Sequence, residues 1–389
     1  MNPLKKQKTI MKTKNMLWAA LSMTAALVMT ACSNDDNMVE TPAAPQDEVK
    51  TIPYTVTVND GAATTRATVD SDNKTLRFAT GDKLYITGTN VKGVLEITSG
   101  VGETTGATFS GDLNYTGDAP ASDLTLTATL VSAQQTVGTE VSVDAAGAVT
   151  VNYPTTSYCG DVAEAVQKYS NLTGTSTYGE KSFTLSQQTA FLNFVITFTD
   201  GTTAGTELSA VVKNGATTLC TANVTTVDDG GVKAKFVLPV AKGTTLSSAN
   251  VKMGDKEAIS FGASQTLTGK VYNVKKYAPV TVTWNNNDIT GSGNSFTKDG
   301  VTITAGYMID FSDKVFLGGG TFTTTLGNFT KIEVSGVSGQ PSGTGWSGGS
   351  DYSEIKTWTG NDSSVSFTGD LDGMAMGNTK FVFTIEPTN

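Results

Sequence analysis

Leu124-Thr125-Leu126-Thr127-Ala128-Thr129-Leu130 sets an apolar side chain at every even position and a threonine at every odd one. A period of two sends successive side chains to opposite faces of an extended chain, so the stretch reads as a half-buried β-strand with a threonine-coated outer face. The same alternation recurs in Tyr54-Thr55-Val56-Thr57-Val58, Leu84-Tyr85-Ile86, Val94-Leu95-Glu96-Ile97 and Val141-Ser142-Val143. Between these runs stand Asn59-Asp60-Gly61, Thr80-Gly81-Asp82, Ser99-Gly100 and Ser110-Gly111-Asp112, residues that supply turn conformations. Many short strands joined by glycine turns imply an all-β protein built of sandwiches or barrels.

One segment breaks the pattern. In Asp161–Ser170, Val162, Val166 and Tyr169 recur at helical spacing, which predicts one short helix covering an open end of the first sandwich. A second strand set is expected from Phe183 onward. It includes the continuous apolar run Phe191–Phe198, too apolar for a one-faced strand and therefore expected in the middle of a sheet. Near Ala278-Pro279 the texture changes to strands set among more glycine and tryptophan, which marks a third segment. The predicted organisation is a leader over 1–31, a flexible tether over 32–50, and three β-sandwiches over 51–178, 179–278 and 279–389.

The 389 residues contain no histidine, which removes Ser-His-Asp and Cys-His nucleophile systems, His-ligated zinc and His-ligated haem. Carboxylate, lysine or oxygen-liganded metal chemistry is left, and none has a recognisable motif. The thirty-six acids of Asp+Glu form no identifiable glycosidase pair. Asp370-Leu371-Asp372-Gly373 and Asp288 lack the spacing of a twelve-residue calcium loop and read as solvated turns. Asp228 and Asp229 read as part of a hairpin turn. No enzymatic activity, cofactor or metal is expected. The formal charge of −9 argues against a nucleic-acid partner.

The charge is unevenly spread. Lys5, Lys6, Lys8, Lys12 and Lys14 precede the uncharged Met16–Val28, and Met29-Thr30-Ala31-Cys32 follows, the layout of a secretory leader. Met11 opens an equally good leader. Losing the five lysines moves the formal charge from −9 to −9 − 5 = −14. Cys159 and Cys220 could pair in an oxidising compartment or remain as two buried thiols, and buried thiols are the expectation.

Cys32 after Ala31 resembles the lipobox of bacterial lipoproteins, and Ser33-Asn34-Asp35-Asp36 resembles the acidic tag that Bacteroidota lipoproteins carry behind the lipidated cysteine. Together with Ala63-Thr64-Thr65-Arg66-Ala67-Thr68, Leu76–Ile86 around Gly81-Asp82-Lys83, Ala107–Leu113 and Leu267–Val274, these features resemble the fimbrillin family of type V pili. The resemblance spans about Cys32–Tyr277. It implies tandem β-sandwiches, lipidation at Cys32, an outer-membrane surface location with lipid as the only membrane contact, and a fimbrial role in adhesion. It also implies processing at the Arg66-Ala67 bond by an arginine-specific protease, release of the first strand, and partnership with other fimbrial subunits by strand donation into the vacated groove. Arg66 and Arg77 are the only arginines. Lying in a turn that is never cut is the other reading of Arg66.

The resemblance ends near Tyr277, where a further domain-sized segment follows. That addition suits a tip or accessory subunit better than a repeating stalk unit. The alternative is a solitary glycan-binding surface lipoprotein that uses the tandem domains as a stalk. Apart from Trp18 in the leader, every tryptophan falls in this last segment. Trp284 and Trp358 are expected in the core, while Trp346, flanked by glycine, is the surface candidate. Trp346, Asp351, Trp358, Asn361 and Asp362 form the candidate ligand set, since exposed rings and nearby Asn and Asp side chains suit a sugar or a protein on a host or bacterial surface.

Overall fold

The computed structural model describes residues 48–60, 68–69, 76–103, 105–261, 264–289, 293–311, 314–373 and 379–388. Cys32, Arg66 and Ala67 lie outside them. The described chain is all-β with a single α-helix. Its strands form three bodies, each with its own apolar core.

The first body contains β1 (Lys50–Asp60), β2 (Lys83–Gly88), β3 (Val91–Ser99), β4 (Gly106–Tyr115), β5 (Thr125–Val131), β6 (Leu172–Thr177) and β7 (Ser182–Gln187). Pairing runs β1-β7-β6-β5-β2-β3-β4 and returns to β1, so the two faces of the sandwich are joined into a closed barrel. The alternation of Leu124–Leu130 is realised: Leu126, Ala128 and Leu130 face the interior with Leu84, Ile86, Leu95 and Phe109. The strand at Phe183, expected to open the second set, instead completes this barrel. Phe183 and Leu185 lie in the first core because β7 pairs in parallel with β1.

In the second body, β8 (Thr189–Thr197), β9 (Glu207–Asn214), β10 (Thr217–Thr225), β11 (Val232–Ala241), β12 (Ala249–Met253) and β13 (Val271–Tyr277) form two facing sheets. One places β8 between β11 and β13, the central position its continuous apolar run predicts, and the other places β9 between β10 and β12. Leu192, Phe194 and Ile196 face the sandwich interior, while Phe191 points outward under the helix α1 (Val162–Tyr169). The helix reaches both bodies: Tyr169 packs with Val131 and Tyr85 at one end of the first, while Ala165 and Val166 pack with Phe191 and Val237 of the second. Asp161 caps it by accepting from the Glu164 backbone N–H at 2.8 Å. The preceding segment crosses to the same body. Cys159 bridges to Val237, and the Tyr158 hydroxyl donates to the carbonyls of Ala210 at 3.0 Å and Cys220 at 3.2 Å. Residues 158–170 thus cover the second body before β6 and β7 return to complete the first. Cys159 and Cys220 are both free and buried, and burial pushes the Cys159 thiol up to about 12.

The third body pairs two five-stranded sheets. Its long strands are β14 (Val280–Asn285), β15 (Val301–Phe311), β16 (Lys314–Thr324), β17 (Gly327–Ser335), β18 (Lys356–Asp362), β19 (Ser364–Gly373) and β20 (Lys380–Pro387). Phe322, Phe329, Phe367, Phe381 and Phe383 fill the core around Trp284. Trp284 is fully buried, as expected, with no acceptor for its indole N–H among the described residues.

Candidate functional site: the first strand and the slot it fills

The alternation in β1 sends Tyr54, Val56 and Val58 inward, each only 1% exposed, and leaves Thr51, Thr55 and Thr57 outside. On one side β1 lies antiparallel to β4 along its length, from Lys50 opposite Tyr115 to Asn59 opposite Gly106. On the other it meets β7 in parallel only from Thr57 to Asp60. Among the described residues its first half therefore has a single strand neighbour, and there Pro53, which has no N–H to give a ladder, is accommodated. The outer threonines add weaker ties, with the Thr55 and Ser110 hydroxyls 2.9 Å apart.

Tyr54 is the main anchor. Its ring stacks on Tyr178 at 5.1 Å between centroids, and its hydroxyl donates to the Tyr178 carbonyl at 3.0 Å. Burial, with Tyr178 beside it, pushes the phenol up to about 12. Tyr178 follows β6 and belongs to no motif, so only the fold reveals its role. Without β1, the long edge of β4 and the short edge of β7 would lose their partners, and three side-chain positions in the core would open. That is a slot for an extended segment with matching alternate apolar residues.

The Gly81-Asp82-Lys83 turn stiffens the opposite wall. Asp82 is fully buried and accepts from the backbone N–H groups of Ala79 at 2.8 Å and Ala133 at 2.9 Å, tying the turn before β2 to the loop after β5. Burial raises its carboxyl above the usual range, against the lowering effect of these two hydrogen bonds.

The candidate ligand set of the third body does not converge. Trp346 and Trp358 stand opposite each other across a short strand pairing, but Asp351 lies in the loop before β18, while Asn361 and Asp362 stand at the far end of that strand. Trp358 is buried and donates to the Thr344 carbonyl at 3.0 Å. Its glycine setting has a packing cause: a Cβ at Gly360 would lie 2.4 Å from the ring and one at Gly345 2.6 Å from its nitrogen. Trp346 is half-buried, donates to the Ser366 carbonyl at 3.2 Å and packs beside Phe322 and Phe367. Both indole N–H groups are thus engaged within the fold. Asp288 receives the Asn285 N–H and pairs with Lys298 at 2.9 Å. Among the described residues no group of acids, Cys and His is arranged to hold a metal.

No protein-family model and no curated protein matches the chain. Solved structures do. A proposed cell adhesion protein from Bacteroides ovatus ATCC 8483 is 14% identical, with 59% of this chain and 92% of that one covered and a TM-score of 0.35. A fimbrial assembly protein from Parabacteroides distasonis ATCC 8503 is 8% identical over 59% and 91%, with a TM-score of 0.29. The tip fimbrial protein Mfa3 from Porphyromonas gingivalis, with C-terminal truncation, is 9% identical over 55% and 80%, with a TM-score of 0.24.

Proposed function

We propose that the chain is a surface adhesion subunit of a filament, placed at a tip or accessory position, that joins a neighbour by exchanging its first strand. The observation that carries this reading is the place of β1: N-terminal in the barrel, core-filling, and paired with a strand on each side. The segment that follows β1 contains Arg66. Cutting the Arg66-Ala67 bond would leave β1 held by non-covalent contacts alone, together with everything before it, including a lipid on Cys32. Departure of that piece would free the subunit from its anchor and open the slot in one event. A neighbour's strand with apolar residues at alternate positions would restore both ladders and the core.

In this reading the 1–31 leader delivers the chain, the 32–50 tether holds it at the outer membrane until the cut at Arg66, and the three sandwiches project from it. The third body favours an end or side position, because a repeating unit donates the strand that ends its fold. Microscopy of cells carrying a label in the third body tests the placement. Label at filament ends or at separate points along filaments supports it, and even labelling along filaments or a spread over bare membrane contradicts it. Arg66→Ala should abolish incorporation; normal assembly of that variant overturns the processing step.

A further inference from the structure

The outer face of the β8 sheet changes character along its length. At Phe191 it is covered by α1, and at Asn193, whose amide donates to Asn273 at 2.8 Å, the cover ends. Beyond that point the face turns basic. Lys235 of β11 and Lys275 of β13 flank Val195 in one row, and Lys233 and Tyr277 flank Thr197 in the next. Lys276, the Asp229-Gly230 turn, and Glu386 and Pro387 of β20 complete the walls of an open cleft of about 580 Å³. Its four lysines face two acids, a local charge of 4 − 2 = +2 in a chain of formal charge −9. Asp229 is shared by Lys233 at 3.4 Å and Lys235 at 2.5 Å, and Lys276 pairs with Glu386 at 3.4 Å. Lys275 is exposed and has no ion pair among the described residues.

We infer that this cleft binds an acidic saccharide, a segment bearing carboxylate or sulfate groups on alternate rings. This inference is independent of strand exchange. The two lysines of the first row are two strand spacings apart at the backbone, about 9.5 Å. Alternate side chains of an extended peptide lie about 6.8 Å apart, a poorer match, whereas alternate pyranose rings span about the larger distance. Tyr277 offers an aromatic face for the apolar side of a ring, and Thr197 offers a hydroxyl partner. The volume falls within the roughly 300–1,000 Å³ of small-molecule sites, more than an inorganic anion would fill.

Calorimetric titration of the full chain tests this with a heparin-derived tetrasaccharide, an oligogalacturonate, neutral maltotetraose, inorganic phosphate and hexa-aspartate. At least one acidic saccharide should bind, with an affinity at least about 10-fold above that of the other three probes and falling as salt is raised. Both exposed lysines can be reversed without touching the core. K235E/K275E should weaken binding about 10-fold or more, and Asp229→Asn, which removes a competing carboxylate, should tighten it severalfold. The inference is overturned if neither acidic saccharide binds, if phosphate or hexa-aspartate binds as tightly, or if K235E/K275E leaves the affinity unchanged.

Discussion

Tyr54→Ala isolates the contact that holds the exchangeable strand. The substitution removes a ring that is 1% exposed, its stack on Tyr178 and its hydrogen bond to the Tyr178 carbonyl. Truncating a buried aromatic side chain to alanine costs about 3–5 kcal/mol, with the cavity included. At about 1.4 kcal/mol per factor of ten, the strand's hold weakens by two to nearly four orders of magnitude. In the uncut chain the loss appears as an earlier unfolding transition of the first body in urea. In a chain nicked by an arginine-specific protease it appears as release of the N-terminal fragment, read by size exclusion with mass spectrometry. Mass also separates cleavage at Arg66 from cleavage at Arg77, whose guanidinium is tied to the Gly102 carbonyl at 2.7 Å. Wild type should keep the fragment for hours after the nick and the variant should lose it quickly. Tyr54→Phe, which deletes only a hydrogen bond worth about 1 kcal/mol, should fall between them. Equal retention by wild type and Tyr54→Ala would refute the reasoning, because the fragment would then be held by something other than the core positions of β1.

Asp82→Ala should destabilise the first body by about 1–2 kcal/mol, since two part-buried N–H groups lose their acceptor; urea denaturation measures it. Because burial holds the Asp82 carboxyl above its ordinary value, the native state binds this proton more tightly than the unfolded chain. Its contribution to stability therefore falls as pH rises from about 3.9 through the raised value, and Asp82→Asn should remove that slope. Asp200 has the opposite sign: burial pushes its carboxyl up, but Lys256 and Thr202 outweigh burial and hold it low. The stability it gives is present above about pH 4 and lost as pH falls through the lowered value, so Lys256→Met should flatten acid unfolding of the second body. Lys356 is fully buried and donates to the carbonyls of Val337 at 2.8 Å, Glu354 at 3.0 Å and Asp351. Lys356→Met should cost about 1–3 kcal/mol and speed amide exchange in the loop before β18.

Local pattern was legible where one strand carried its own evidence. Leu124–Leu130 reads as β5, and Phe191–Phe198 reads as a central strand because its outward Phe191 needs cover as much as its inward neighbours do. What a single stretch could not show was which distant partner it meets. Phe183 and Leu185 alternate as a strand must, yet only the parallel pairing of β7 with β1 assigns them to the first core. The helix followed from the spacing of Val162 and Val166, but its seat on the outer face of the second body depends on chain crossings that no local period encodes. The glycines around Trp346 suggest a surface loop, whereas Gly345 lacks a Cβ because the buried ring of Trp358 takes that space. The basic cleft has no local signature for a similar reason. Lys233 and Lys235 lie far in sequence from Lys275 and come together only because β8 runs between their strands.

Strand exchange itself can be observed with a fluorescent synthetic peptide of residues 50–60 (KTIPYTVTVND) added to protein cut at Arg66. The label should enter the folded protein, approaching one peptide per chain as the native fragment leaves, and it should elute with the first body intact. A peptide with Ser at Tyr54, Val56 and Val58 should stay out. No incorporation of the native sequence once the fragment has gone, or equal incorporation of the serine-substituted peptide, would contradict the claim that this barrel is built around a replaceable strand.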